Sequence, residues 1–266
     1  MRPRVCAVSY LNTVPLIWGL EHGPQQNAVH LSYALPSECA RQLESGEVDI
    51  GIVPVAAFLK REWGIFRGTG IACDGPVRSI LLISKVPFAR IRLLAADAGS
   101  RSSVQLSRVI LLHRYGAEPV VQQQPADLGA MLTNADAALI IGDPALRLDP
   151  EALRSQGLFV ADLGEEWTSW TGLPMVFAVW AGAPALVTPE LEQTFLASYE
   201  YGREHLDAIV AAEHARRGVT PALAREYFTR YIVFRLGERE YAGMHRYLEL
   251  AREINAAPTL TGVRTA

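Results

Sequence analysis

Residues 48–60 read Val-Asp-Ile-Gly-Ile-Val-Pro-Val-Ala-Ala-Phe-Leu-Lys, and the fold turns on how this stretch is divided. Residues 48–53 form a short apolar run of strand length, and Pro54 opens a short helix that reaches Lys60. Proline suits a first helical turn because its missing N–H would have no partner there. The same alternation lies upstream. Residues 5–9 predict a strand, 13–21 a helix with Pro15 in its first turn, and 28–34 a second strand. Residues 38–44 follow as a helix with Ser37 as its N-cap and Gly46 as its stop. Strand–helix–strand with short connections predicts a parallel sheet with helices on its faces.

Downstream, residues 65–73 and 77–85 read as two extended segments around the turn Asp74-Gly75-Pro76. The second is almost wholly apolar, as in a strand buried on both faces. After Pro87 the alternation restarts: strand 91–96, helix 102–115, strand 118–122, helix 127–133 and strand 137–141. This second α/β unit implies a second lobe. A long apolar strand at 175–181 precedes Gly182-Ala183-Pro184, and the pattern from Pro189 to Ala257 is helical. There Leu191, Phe195 and Tyr199 recur at helical spacing, as do Tyr227, Phe228 and Tyr231, and then Tyr241, Met244, Tyr247, Leu248 and Ala251. These aromatic stripes are expected to pack as core against the first lobe. Residues 259–266 carry no pattern and are expected to fray. The fold class is therefore α/β with two lobes: residues 1–86 and 180–266 in one, 87–179 in the other. The chain is expected to cross near residues 85–88 and again near 175–181, with a ligand cleft between the lobes.

Composition narrows the function. The chain has 266 residues, half of them hydrophobic and a fifth charged, with a net charge of −3. That excludes a broad basic footprint for nucleic acid or an anionic membrane. No apolar run approaches the ~20 residues of a membrane helix. Cys6, Cys39 and Cys73 fit no disulfide or zinc spacing, which suits a reducing compartment. With no signal-peptide pattern, the expected location is the cytoplasm. The six histidines sit in no catalytic spacing, and there is no nucleophile elbow, Walker loop or dinucleotide fingerprint.

Several stretches sit where α/β proteins present ligand-binding groups. SYLNTVPL, residues 9–16, follows the first strand and opens the first helix. Its Asn12 offers both a donor and an acceptor, so it either orients a ligand hydroxyl or carboxylate or caps the helix. Ser79 is a hydroxyl in an apolar strand, and burying it unpaired costs about 1–3 kcal/mol. It bonds either a ligand or neighbouring backbone. Ser100, Ser102 and Ser103 lie in GSRSSV, residues 99–104, at a helix start whose free N–H groups and dipole favour an anion. Ser102 also suits a plain N-cap. Asp143 ends a strand and either faces the cleft or caps the helix at Pro144. Thr171 and the backbone at Gly172 either contact the ligand, with Trp170 over its ring, or form a turn that packs the hinge.

Taken in order, SYLNTVPL, VDIGIVPVAAFL, CDGPVRSILLIS, IGDPALR and WTGLPMVFAVW resemble the chorismate dehydratases of the futalosine route to menaquinone. The resemblance runs from Val5 to about Ala181. It implies a type 2 periplasmic-binding-protein-like fold turned to catalysis, and loss of water from chorismate to give 3-[(1-carboxyvinyl)oxy]benzoate. It places Asn12 and Ser79 in the active cleft as the catalytic pair; Ser9, Tyr10, Ser100, Ser102, Ser103, Asp143, Thr171 and Gly172 are expected around the substrate from their places at strand ends, helix starts and turns. It implies no metal and no organic cofactor, no nucleic-acid or membrane partner, and is compatible with a homodimer. Two other functions share this fold: the enzyme of the same route that makes 1,4-dihydroxy-6-naphthoate, and a non-catalytic solute-binding module. The matched motifs offer no dedicated base, so a carboxylate of the substrate is expected to take the ring proton.

Overall fold

A computed structural model describes residues 2–256; the expectation for residues 259–266 lies outside them. β1 (Arg4–Val8) leads through a 3-10 turn at Leu11–Thr13 into α1 (Val14–His22). β2 (His30–Ala34), α2 (Pro36–Ser45) and β3 (Ile50–Pro54) follow, then a 3-10 turn at Val55–Leu59. β1 pairs in parallel with β2 and β3, as the alternation predicts. α2 starts at Pro36 with Leu35 in the N-cap position, so Ser37 lies inside its first turn rather than capping it. Gly46 ends α2 in the left-handed region at φ 76°.

β4 (Gly64–Cys73) precedes the change of lobe. The second lobe contains β5 (Ile80–Ser84), β6 (Leu93–Asp97), α3 (Ser102–Tyr115), β7 (Val120–Gln124), α4 (Leu128–Asn134) and β8 (Ala137–Ile141). It closes with α5 (Gly142–Leu146), α6 (Pro150–Ser155), β9 (Phe159–Asp162) and α7 (Leu163–Thr171). The chain then returns through β10 (Met175–Gly182), α8 (Pro189–Glu204), α9 (Leu206–Arg217) and α10 (Pro221–Glu226). A π-helical turn at Tyr227–Tyr231, β11 (Val233–Arg235) and α11 (Glu238–Ala256) complete the described residues.

Two sheets form, in the orders β11-β4-β10-β3-β1-β2 and β7-β6-β8-β5-β9. This moves both expected crossings. β5 lies between β8 and β9 in the second sheet, antiparallel to each. The chain therefore changes sheets at residues 74–79, before β5, and not at 85–88. β10 pairs along its length with β3 and β4, so the return falls at residues 172–174 and all of β10 belongs to the first sheet. The first connection is held by its own bonds. Asp162 accepts from the N–H groups of Val77 and Arg78 at 3.0 and 2.6 Å. Arg78 adopts φ 66°, a conformation that costs a non-glycine residue about 1–2 kcal/mol. Its guanidinium donates to the carbonyls of Ala145 and Leu148, which fixes the turn from the second lobe.

The C-terminal helices pack as the aromatic stripes predict. α8 lies against α1 and β4, and α11 against β10. Phe195 stacks on Trp180 of β10 at 4.5 Å between ring centres. α11 also reaches α3 of the second lobe, where the Tyr247 hydroxyl donates to the Ser102 carbonyl at 3.1 Å.

Candidate active site between the lobes

A narrow cavity of about 60 Å³ lies between the sheets. It is formed where β1, the first connection, the start of α3 and the end of β8 converge. Val8, Ile71, Val77, Ile80, Ile141 and Phe177 give it apolar walls, and Tyr10, Asn12, Ser79, Ser100, Ser102 and Ser103 supply its polar groups. Among the described residues, Arg101 is the one charged side chain on the lining; it pairs across the cleft with Glu44 of α2 at 2.9 Å. No Asp, Glu or His is on that lining.

Asn12 sits inside the 3-10 turn that follows β1, and no side chain caps either that turn or α1. The capping alternative therefore falls away, leaving the amide on the cavity wall. Ser79 is 1% exposed, and its Oγ accepts from the Tyr227 hydroxyl at 2.7 Å. Tyr227 is also 1% exposed. Within the serine-rich loop, Ser100 Oγ accepts from the Ser103 N–H at 3.2 Å. Ser102 Oγ is bound to the opposite lobe: it accepts from the Ala56 N–H at 3.1 Å and donates to the Phe177 carbonyl at 3.2 Å. Behind the loop, Asp97 accepts from the Gly99 N–H at 2.9 Å. Its other oxygen is buried without a partner, and burial raises its carboxyl above the usual range.

Tyr10 crosses the cleft and lies flat against Gly142. A Cβ on Gly142 would stand 2.8 Å from the Tyr10 ring, and its φ is 64°, so this site needs glycine for both space and backbone. Burial and the charges of Asp97 and Asp143 raise the Tyr10 phenol, which keeps it protonated and able to donate.

Four of the expected substrate-contacting residues fall elsewhere. Ser9 lies off the cavity, on a second hollow on the far side of Tyr10, and its carbonyl accepts from Arg217. Asp143, 7% exposed, neither lines the cavity nor caps α5. Its two oxygens accept from the Leu11 N–H and the Arg217 guanidinium, each at 2.9 Å. Burial raises its carboxyl, with Leu11 and Arg217 pulling the other way. Arg217 also pairs with Glu213 at 2.9 Å, so α9 of the first lobe is clasped to α5 of the second. Thr171 and Gly172 end α7 away from the cavity. Thr171 Oγ1 donates to the Trp167 carbonyl at 2.9 Å and accepts from the Leu173 N–H at 3.2 Å, the turn-packing alternative.

Sequence reasoning missed Tyr227 and Arg217. Tyr227 reads as one more member of an aromatic stripe, and no pattern singles out Arg217. Among the described residues no three His, Cys, Asp or Glu side chains gather in a metal-holding arrangement, and no helix is long and apolar enough to cross a membrane.

The comparisons with known proteins agree with this architecture. A family model described as menaquinone biosynthesis matches residues 3–253. The chain is 31% identical to the chorismate dehydratase of Thermus thermophilus, over 94% of this chain and 95% of that one. Among solved structures, an Archaeoglobus fulgidus protein superposes with a TM-score of 0.73 at 17% identity, covering 96% of this chain and 98% of its own. The periplasmic aliphatic sulphonate binding protein of Escherichia coli superposes with a TM-score of 0.63 at 18% identity, covering 96% and 88%. At these identities the solved structures speak for the fold alone, a two-lobed periplasmic-binding-protein-like one. With a family match that spans nearly every described residue and a full-length curated relative, the chain belongs to the menaquinone-biosynthesis family.

Proposed function

We propose that this protein is a chorismate dehydratase, a hydro-lyase that converts chorismate to 3-[(1-carboxyvinyl)oxy]benzoate and water. The observation that carries the reading is the make-up of the cavity wall: neutral donors and acceptors on apolar walls, one arginine, and no acid or histidine. Such a wall accepts a ring bearing two carboxylates without placing an anion beside it. The helix start at Ser102 with its serine-rich loop, together with Arg101, suits one carboxylate. Tyr10 and Phe177 flank the space for the ring.

The reaction removes the proton from the ring carbon that bears the enolpyruvyl ether and expels the neighbouring hydroxyl as water. The new double bond completes the aromatic ring, which supplies the driving force. With no protein carboxylate or imidazole on the wall, the enolpyruvyl carboxylate of the substrate takes the proton. Asn12 and Ser79 hold the hydroxyl and ether in the geometry for loss of water; such positioning contributes several kcal/mol. The remaining features of the reading, a cytoplasmic location and activity without metal or organic cofactor, belong to the same proposal.

The test is incubation of the purified protein with chorismate after dialysis against a chelator, following the aromatic product by absorbance and mass. Catalytic formation of 3-[(1-carboxyvinyl)oxy]benzoate is expected. Saturable binding of chorismate without turnover would make the protein a binding module and sink the proposal.

A further inference from the structure

The Tyr227 phenol belongs to none of the roles above, yet it is fully enclosed and bonded to a residue of the cavity wall. Its Oη donates to Ser79 Oγ at 2.7 Å, the usual separation for a well-formed hydroxyl pair. Burial holds the phenol well above its ordinary value. Tyr227 therefore keeps its proton and directs it at Ser79. It also opens the π-helical turn, whose closing bond runs from the Ile232 N–H to the Tyr227 carbonyl at 3.1 Å. π turns are rare and are frequently found at functional sites. Here the distortion falls on the one segment that brings a hydroxyl from the C-terminal helices to Ser79.

The consequence follows from counting protons. A serine hydroxyl has one proton and two lone pairs. With a lone pair of Ser79 filled by the phenol proton, the serine's own proton is left to point along the remaining directions, toward the cavity that Ser79 lines. We infer that Tyr227 is a positioning residue that sets Ser79 as a hydrogen-bond donor to the substrate oxygen that leaves as water. This inference rests on the dehydratase reading. Donation to that oxygen strengthens as its bond to carbon breaks and negative charge builds on it, so the effect belongs to the chemical step more than to binding.

A double-mutant cycle on the full chain tests it, with Tyr227→Phe, Ser79→Ala and the pair assayed at saturating chorismate. Tyr227→Phe keeps the ring and removes only the hydroxyl. It should lower kcat about 10-fold, the worth of one oriented hydrogen bond, with KM within about twofold and the melting temperature within a few degrees. On the Ser79→Ala background the same substitution should cost nothing further, because the group it acts through is gone. Full kcat in Tyr227→Phe, or penalties that multiply in the double variant, would overturn the inference while leaving the dehydratase reading intact. Absence of turnover in the unaltered protein would overturn both.

Discussion

Two buried polar clusters flank Tyr10, which lines the hollow on each side, and they are built from different materials. On the cavity side stand an amide, a phenol and serine hydroxyls: Asn12, Tyr227, Ser79 and the 100–103 loop. On the far side stand Asp143, Arg217 and Glu213, a charged chain that ties α5 to α9. Glu213 and Asp143 are about as buried as Ser100 and Ser102, with 6% and 7% of their surface exposed against 4% and 4%. Burial alone therefore does not distinguish them; charge does. A buried ion pair recovers its desolvation cost only when it stays paired, so the charged cluster suits a permanent clasp between lobes. Neutral dipoles cost less to bury and remain available to an incoming anion. The molecule places its buried ion pairs where they hold the lobes and, Arg101 apart, uncharged groups where a dianion would lie.

The largest expected effect comes from putting a charge on the neutral side. Asn12→Asp keeps the side-chain size but exchanges the amide donor for a carboxylate beside two substrate carboxylates. Turnover at saturating chorismate should fall about 10²–10³-fold, the scale for losing one preorganised donor. The melting temperature should stay close to that of the unaltered protein, because Asn12 caps no helix. Unchanged turnover would show that the cavity tolerates an anion at this position, and the distinction between the clusters would fail there.

Removing a charge from the clasp should instead act on stability. Arg217→Met leaves Asp143 and Glu213 without their shared cation, and roughly 2–3 kcal/mol is expected, somewhat below the usual cost of breaking a buried pair because Arg217 keeps partial exposure. Urea unfolding measures it, and a loss under about 0.5 kcal/mol, typical of a surface pair, would demote the clasp to surface chemistry. The pH dependence has a definite sign. Burial raises the Asp143 carboxyl in the folded protein, so the folded state holds that proton to a higher pH than the unfolded chain. Its contribution is full below the unfolded value near ~3.9 and is lost as pH rises through the folded value. Asp143→Asn removes this titration. Across that window the unaltered protein should lose more stability with rising pH than Asp143→Asn does.

The two clusters also differ in how far sequence reveals them. Asn12, Ser79 and the serine loop lie next to strand ends and helix starts, where local pattern says that backbone opens toward a cleft. The helix at Ser102–Tyr115 and the strand at Ala137–Ile141 have the bounds their patterns predict, because Gly116 stops the one and the other is apolar throughout. Tyr227 is 148 positions from Ser79 and Arg217 is 74 from Asp143. Nothing local marks a tyrosine in an aromatic stripe as bonded to a distant serine. The crossing was displaced for a related reason. An apolar strand such as β5 looks the same from sequence whether its neighbours are β3 and β4 or β8 and β9, since pairing partners are set by the sheet as a whole. β9, four residues long, is too short to show alternation at all.

The smallest effect should fall at Thr171, outside both clusters. Its hydroxyl donates back to the Trp167 carbonyl and accepts from the Leu173 N–H, closing the end of α7 just before the chain returns to the first sheet. Gly172 continues that turn in the left-handed region at φ 70°, and its carbonyl accepts from Arg239 at 3.1 Å. Trp167 reinforces it by donating to the Pro174 carbonyl at 3.2 Å. These bonds are local and spend both the donor and an acceptor of Thr171 on the protein itself. Thr171→Val keeps the branched shape and should cost about 0.5–1.5 kcal/mol, the worth of the bonds removed, while kcat and KM for chorismate stay unchanged. Parallel unfolding and steady-state measurements separate the two readouts. Should kcat fall while stability holds, the end of α7 would have to reach the substrate during turnover, and the boundary drawn between the neutral wall and the rest of the interlobe contacts would need to be widened to include it.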